Sequence, residues 1–296
     1  MSPSALVLPH VREMTSNRRP NVMLPEPNDS ELNRWTIGAI AILAYCLANL
    51  LHEGLGHGGA CLLMGVHAKV LNAIFLEWDS SSVPAFARRI IAAGGGVINL
   101  LTGMIALAIV RWARPRADAL GYFLWLFATV SLLMAFGYLL FSGVSGIGDW
   151  IMVFGGLAPK VVVRSGLTLV GAILYFVVTP RLVVPPFRAF LNGSRAHELQ
   201  IRRLLRFPYV VGGITFLAAG ALNPLGFKLL MISAASAALG GTSFLAWCKI
   251  PEHPGSSDQS PETALVLRAQ GGWIAAGAVM LVVFIGILGP GIVLQH

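Results

Sequence analysis

Leu50-Leu-His52-Glu53-Gly54-Leu55-Gly56-His57-Gly58-Gly59-Ala60-Cys61-Leu-Leu-Met-Gly65 closes an apolar run that begins at Trp35 and extends to Val66. The run is longer than the roughly 20 residues needed to cross a hydrocarbon core. It also holds three ionisable groups in six positions. A carboxylate or imidazole at bilayer depth costs several kcal/mol, so such groups face a bundle interior and mark function by default. The stretch therefore predicts a first membrane span with a working site in it.

The rest of the chain agrees with a membrane setting. Hydrophobic residues make up 56% of 296 positions, charged residues only 11%, and the mean hydropathy is +0.74. A water-facing domain carries roughly 25% charged residues. Further apolar segments run over about 88–112, 120–141, 165–179, 208–222, 227–248 and 271–294. The expected fold is an all-α polytopic membrane protein of about six to seven transmembrane helices. Residues 66–78 are rich in β-branched and aromatic types and read as a strand or hairpin following the first span. The net charge of +8 sits beside spans instead of forming a stripe interleaved with aromatics, which argues for lipid and topology and against nucleic acid. Basic residues in the N-terminal segment, at Arg111–Arg116 and in 182–207 favour a cytoplasmic N-terminus. Three regions follow: a polar tail at 1–34, a core at 35–160, and additional helices at 161–296. The last region carries a basic loop at 182–207, whose second half reads as an interfacial helix, and a flexible loop at 250–265. Cys46, Cys61 and Cys248 lie in or at the end of apolar spans and read as buried small hydrophobes.

Of thirteen acidic residues, only Glu53 and Asp149 lie inside or at the mouth of an apolar segment. Two imidazoles and a carboxylate supply three ligands of a tetrahedral metal with one open position. A second carboxylate beside them serves as general base. Histidines four apart on an α-helix share a face, but His52 and His57 are five apart. In a regular α-helix that separation leaves the side chains about 140° apart, against about 40° for a spacing of four. A π-bulge absorbs one extra residue and restores the shared face, and Gly54, Gly56, Gly58 and Gly59 make the distortion easy. Close helix packing at these glycines is compatible with it. Asp149 follows the Gly-rich break Ser142–Gly148 and also fits a helix cap.

The chain resembles the site-2-protease family of intramembrane zinc metalloproteases over residues 36–160. The likeness rests on His52-Glu53…His57, on Gly94-Gly-Gly96-Val-Ile-Asn99 where the family has Ala-Gly-Pro-x-x-Asn, and on Gly148-Asp149 where it has Leu-Asp-Gly. The histidine spacing, Gly96 in place of Pro, and Trp150 in place of Gly depart from the family pattern. The resemblance implies one Zn²⁺ per chain on His52, His57 and Asp149, with Glu53 as general base. Asn99 would then bind substrate or the oxyanion, and the substrate would be a membrane protein or peptide. The competing readings are a protease-like scaffold or regulator without catalysis and, with less support, a proton or ion transporter. His67, Glu77 and Asp79 read as solvated loop groups.

Overall fold

The computed structural model describes residues 32–81, 83–112, 117–191, 197–224, 226, 230–250 and 265–294. Most of the polar tail (1–31) and of the loop expected at 250–265 lies outside these residues. Helix α1 spans Arg34–Met64 and is followed by strands β1 (Ala68–Leu71) and β2 (Leu76–Trp78). Helices α2 (Ala85–Trp112) and α3 (Ala119–Ser145) come next, then the short α4 (Asp149–Phe154). The remaining elements are α5 (Lys160–Arg188), α6 (Glu198–Ala221), α7 (Leu230–Gly240), α8 (Phe244–Trp247), α9 (Gly271–Ile287) and β3 (Ile292–Val293). Among the described residues, α1, α2, α3, α5 and α6 are long and apolar enough to cross a membrane, and α9 is a shorter apolar helix.

Sequence position decides little about which helix is central; burial decides it. The apolar window of α3 is 72% buried whereas that of α5 is 17% buried. Helix α3 therefore forms the axis of the bundle and α5 lies at its rim. Three large polar side chains in the interior find partners on neighbouring helices, as an apolar surround favours. The Tyr122 hydroxyl donates to Leu204 O at 2.8 Å, Trp125 Nε1 to Val183 O at 2.9 Å, and Tyr45 to Thr242 Oγ1 at 2.9 Å. Asn33 caps α1, its side chain accepting from Trp35 N and Thr36 N, which fixes where the first helix begins.

Two expectations change. The last apolar run does not continue as helix to 294. It stops at Ile287, and Gly289-Pro290-Gly291, with φ +97 at Gly291, turns the chain so that Ile292 and Val293 pair with Leu71 and Val70. The basic block does not end in a separate interfacial helix. Arg202, Arg203 and Arg206 lie on the first turns of α6, where Glu198 pairs with Arg202 and Arg206 at 3.4 and 2.8 Å. Between α3 and α5, Asp149–Phe154 is a helix of its own. Six residues rise only about 9 Å, so α4 cannot cross, and the 29 residues of α5 can.

The hairpin forms as the β-branched pattern predicts, with the sheet order β2-β1-β3. Its turn is built by Asn72, whose Oδ1 accepts from Ile74 N and Phe75 N, an Asx-type closure. The backbone of the turn is then tied to three parts of the bundle. Asn49 Nδ2 of α1 donates to Ala73 O at 2.5 Å, Ser233 Oγ of α7 to Ile74 O at 3.0 Å, and Ala73 N to Leu288 O at 2.7 Å.

Candidate metal centre

Within α1 the backbone leaves α-geometry over Leu51–Gly58 and forms a π-turn. Its i→i+5 hydrogen bonds stack residues five apart, which is the separation of His52 and His57. Their rings lie 4.9 Å apart between centroids, edge to face. Both histidines and Glu53 are buried. The tight fit against α2 is made by three consecutive glycines, each missing a Cβ for a different neighbour. A Cβ at Gly94 would run into Gly56 O, one at Gly95 into the His52 ring, and one at Gly96 would meet Trp150 Cζ2 at 2.7 Å. Gly96 of α2 and Trp150 of α4 are thus in contact: the indole fills the space above the glycine. Helix distortion and close packing both occur in this one segment.

Asp149 comes to the histidines from α4. Gly146 ends α3 with φ +76, and Gly148 precedes Asp149 with φ +94, a conformation natural only to glycine. A Cβ at Gly148 would also lie 2.9 Å from the Tyr138 hydroxyl. Arg164 of α5 braces the turn by donating to Gly143 O and Val144 O at 3.1 and 2.6 Å. Gly148 occupies the cap position and Asp149 is the first helical residue, so the carboxylate is not used as a cap. Its Oδ2 instead lies 3.2 Å from His57 Nε2 and 3.7 Å from His52 Nε2.

These three residues form a group that could hold a metal ion, with one ligand atom from each and all of those atoms within 4.8 Å of one another. A tetrahedral ion with bonds of about 2.0–2.1 Å spaces its ligand atoms by about 3.3 Å, close to the two histidine–aspartate distances. The donor set, two imidazole nitrogens and one carboxylate oxygen, fits a divalent transition metal. The outer shell fits as well. His57 Nδ1 donates to Ile91 O at 2.7 Å, which directs the Nε2 lone pair towards Asp149. Asn99 Nδ2 stands 3.1 Å from His52 Nδ1, while Asn99 Oδ1 has no partner among the described residues. Turning the amide over exchanges the two atoms: Oδ1 then accepts from Nδ1–H, leaving His52 Nε2 free to ligate. Asn99 is fully buried behind His52 and does not line the cavity, so this geometry makes it a support for the imidazole and gives it no direct reach to a substrate.

The cavity in front of the group encloses about 130 Å³. His52, Glu53, His57 and Asp149 all line it. The Leu76 backbone amide of β2 faces the Glu53 carboxylate. Tyr138 and Asn49 are among the cavity residues that escaped the sequence reading. Tyr138 lines the site with its ring 6.1 Å from that of His52, and Asn49 joins the cavity wall to the hairpin turn. An aromatic in a span reads as core or lipid-facing, so nothing separates Tyr138 from its neighbours in sequence. Asn49, three residues before His52, is the one polar residue of that turn and was open to notice. His67, Glu77 and Asp79 stand outside the cluster; Ser81 donates to Asp79 through both its hydroxyl and its amide, holding that carboxyl below its ordinary value. No protein-family model, curated protein or solved structure matches the chain.

Proposed function

We propose that the protein is an intramembrane zinc metalloendopeptidase, similar to the site-2 proteases, that hydrolyses peptide bonds in or near transmembrane segments of other membrane proteins. The observation that carries this reading is the π-turn, which sets His52 and His57 against Asp149 with Glu53 beside them in one cavity. Three protein ligands and an acid–base carboxylate are what peptide hydrolysis by a catalytic zinc requires. The five apolar helices suit a multi-pass membrane protein, and the basic residues near the N-terminus suit a cytoplasmic start.

His52, His57 and Asp149 would hold the ion. Bound there, zinc supplies Lewis-acid polarisation and lowers the pKa of water to about 7. The protein's own residues do the rest. Ile91 O and the Asn99 amide fix the two imidazoles. Glu53 takes a proton from the attacking water as its oxygen adds to the peptide carbonyl carbon. The same carboxyl then delivers that proton to the amide nitrogen as the C–N bond breaks, so water is divided between the two products. Strand β2 lies at the edge of the sheet beside Glu53, and an unwound substrate segment would lie along that edge as an added strand. An extended segment exposes the peptide bond that a helix hides.

The test is Glu53→Gln, a nearly isosteric change that removes the base and keeps the ligands. Cleavage of a transmembrane reporter is expected to fall at least ~100-fold with the metal content unchanged. Undiminished cleavage by the variant would reject the proposal.

A further inference from the structure

The cavity at the metal group is walled by helices that each present one face to it. From α3 these are Met134, Gly137, Tyr138 and Phe141, spaced i, i+3, i+4 and i+7, so they form a single stripe. From α7 they are Ser233, Ser236 and Ala237, spaced i, i+3 and i+4. Tyr138 belongs to the metal end, since its ring approaches His52. The remaining surface on these two helices is apolar or small. Its position is fixed on both sides: Phe141 stacks on Tyr138 with centroids 5.7 Å apart, and Ser233 is bonded to the hairpin turn through Ile74 O.

We propose that this part of the cavity is a side-chain pocket that receives one large apolar residue of the substrate, next to the scissile bond. The inference rests on the metalloendopeptidase reading and adds the substrate class to it. The size of the pocket follows from volume. An apolar cavity of roughly 150 Å³ takes one benzene ring; the whole cavity encloses about 130 Å³, part of it at the metal end, so the remainder holds no more than one apolar side chain. Ser236 and Ala237 leave that room by being small. Helix α7 lies about eighty residues beyond the last metal ligand in sequence, so residues after 160 take part in choosing the substrate.

The probes are amino-acid hydroxamates, which chelate zinc through one common group and differ only in the side chain: glycine, leucine and phenylalanine hydroxamate, measured by calorimetry on the zinc-loaded full chain in lipid nanodiscs. Burial of the side chain predicts that the leucine and phenylalanine compounds bind roughly 10- to 100-fold more tightly than the glycine compound. Ala237→Phe fills the pocket and is expected to reduce that preference to threefold or less while glycine hydroxamate binds as before. Met134→Ala enlarges the pocket and is expected to move the preference towards tryptophan hydroxamate. Equal binding of the three probes to the wild type, or an unchanged preference in both variants, overturns the pocket while leaving the metal site intact. A zinc-loaded wild type that binds no hydroxamate, glycine hydroxamate included, overturns the enzyme reading itself, and the pocket falls with it.

Discussion

Gly95 and His52 show how little freedom the site allows. A methyl group at position 95 would collide with the imidazole, so Gly95→Ala is expected to displace His52 and lower zinc content well below one per chain. The destabilisation should stay in the range of an overpacked core, about 1–3 kcal/mol, so that the protein remains folded by circular dichroism. Gly96 and Trp150 make a sharper case because each explains the other. Gly96→Ala should cost stability on its own, and much of that loss should disappear in a Trp150→Gly background. A coupling of roughly 0.5–3 kcal/mol is expected in the double-mutant cycle from thermal unfolding; strict additivity would show that the indole does not sit on the glycine. Asn99 acts at one remove. Asn99→Leu leaves His52 Nδ1 without a partner and is expected to weaken zinc binding roughly 10- to 100-fold in a chelator competition, and Asn99→Asp should recover most of it.

At the scale of the element, the π-turn is the feature on which the site depends. It adds one residue to a spacing that a regular helix would satisfy with four. Leu55 is half exposed and faces away from the cluster. Deleting it should let the segment relax to α-helix with the histidines four apart and still on one face, so metal binding is expected to survive. Inserting an alanine after Leu55 sets them six apart and should abolish it. Metal analysis of the two variants decides the matter, and the reverse pattern would contradict the geometry. This element was legible in sequence, because histidines five apart in a Gly-rich turn leave few ways to share a face. The outer-shell role of Asn99 was not: its spacing places it near the site, but only the packing of α2 against the π-turn puts it behind His52.

Across the whole molecule, the spans were legible and their cooperation was not. Hydropathy finds runs of apolar residues, so α1, α2 and α3 follow closely from it, whereas α5 and α6 extend into the stretch 182–207 read as a loop and the run expected at 227–248 is broken at 241–243. It does not see that Ser233, Ser236 and Ala237 of α7 wall the cavity, since small residues in a span read equally well as packing. Nor does it separate Ile292–Val293 from the apolar helix before it; the Gly-Pro-Gly turn at 289–291 is the only local signal. Because β3 closes the sheet on β1, removing residues 289–296 should loosen the hairpin next to Glu53. Faster amide exchange at Val70 and Leu71 is expected, and reporter cleavage should fall. Unchanged protection there would mean that Asn49, Ser233 and the Ala73–Leu288 bond hold the hairpin without β3.

On the proposed function, a π-turn and a short helix about ninety residues apart in sequence build one zinc site. Zinc analysis together with X-ray absorption on the purified full chain tests it most directly. One zinc per chain is expected, with two imidazole nitrogens and a carboxylate oxygen at about 2.0–2.2 Å, and loss of the metal in His52→Ala, His57→Ala and Asp149→Ala alike. A folded protein that takes up no zinc, or that retains it when both histidines are replaced, would contradict it.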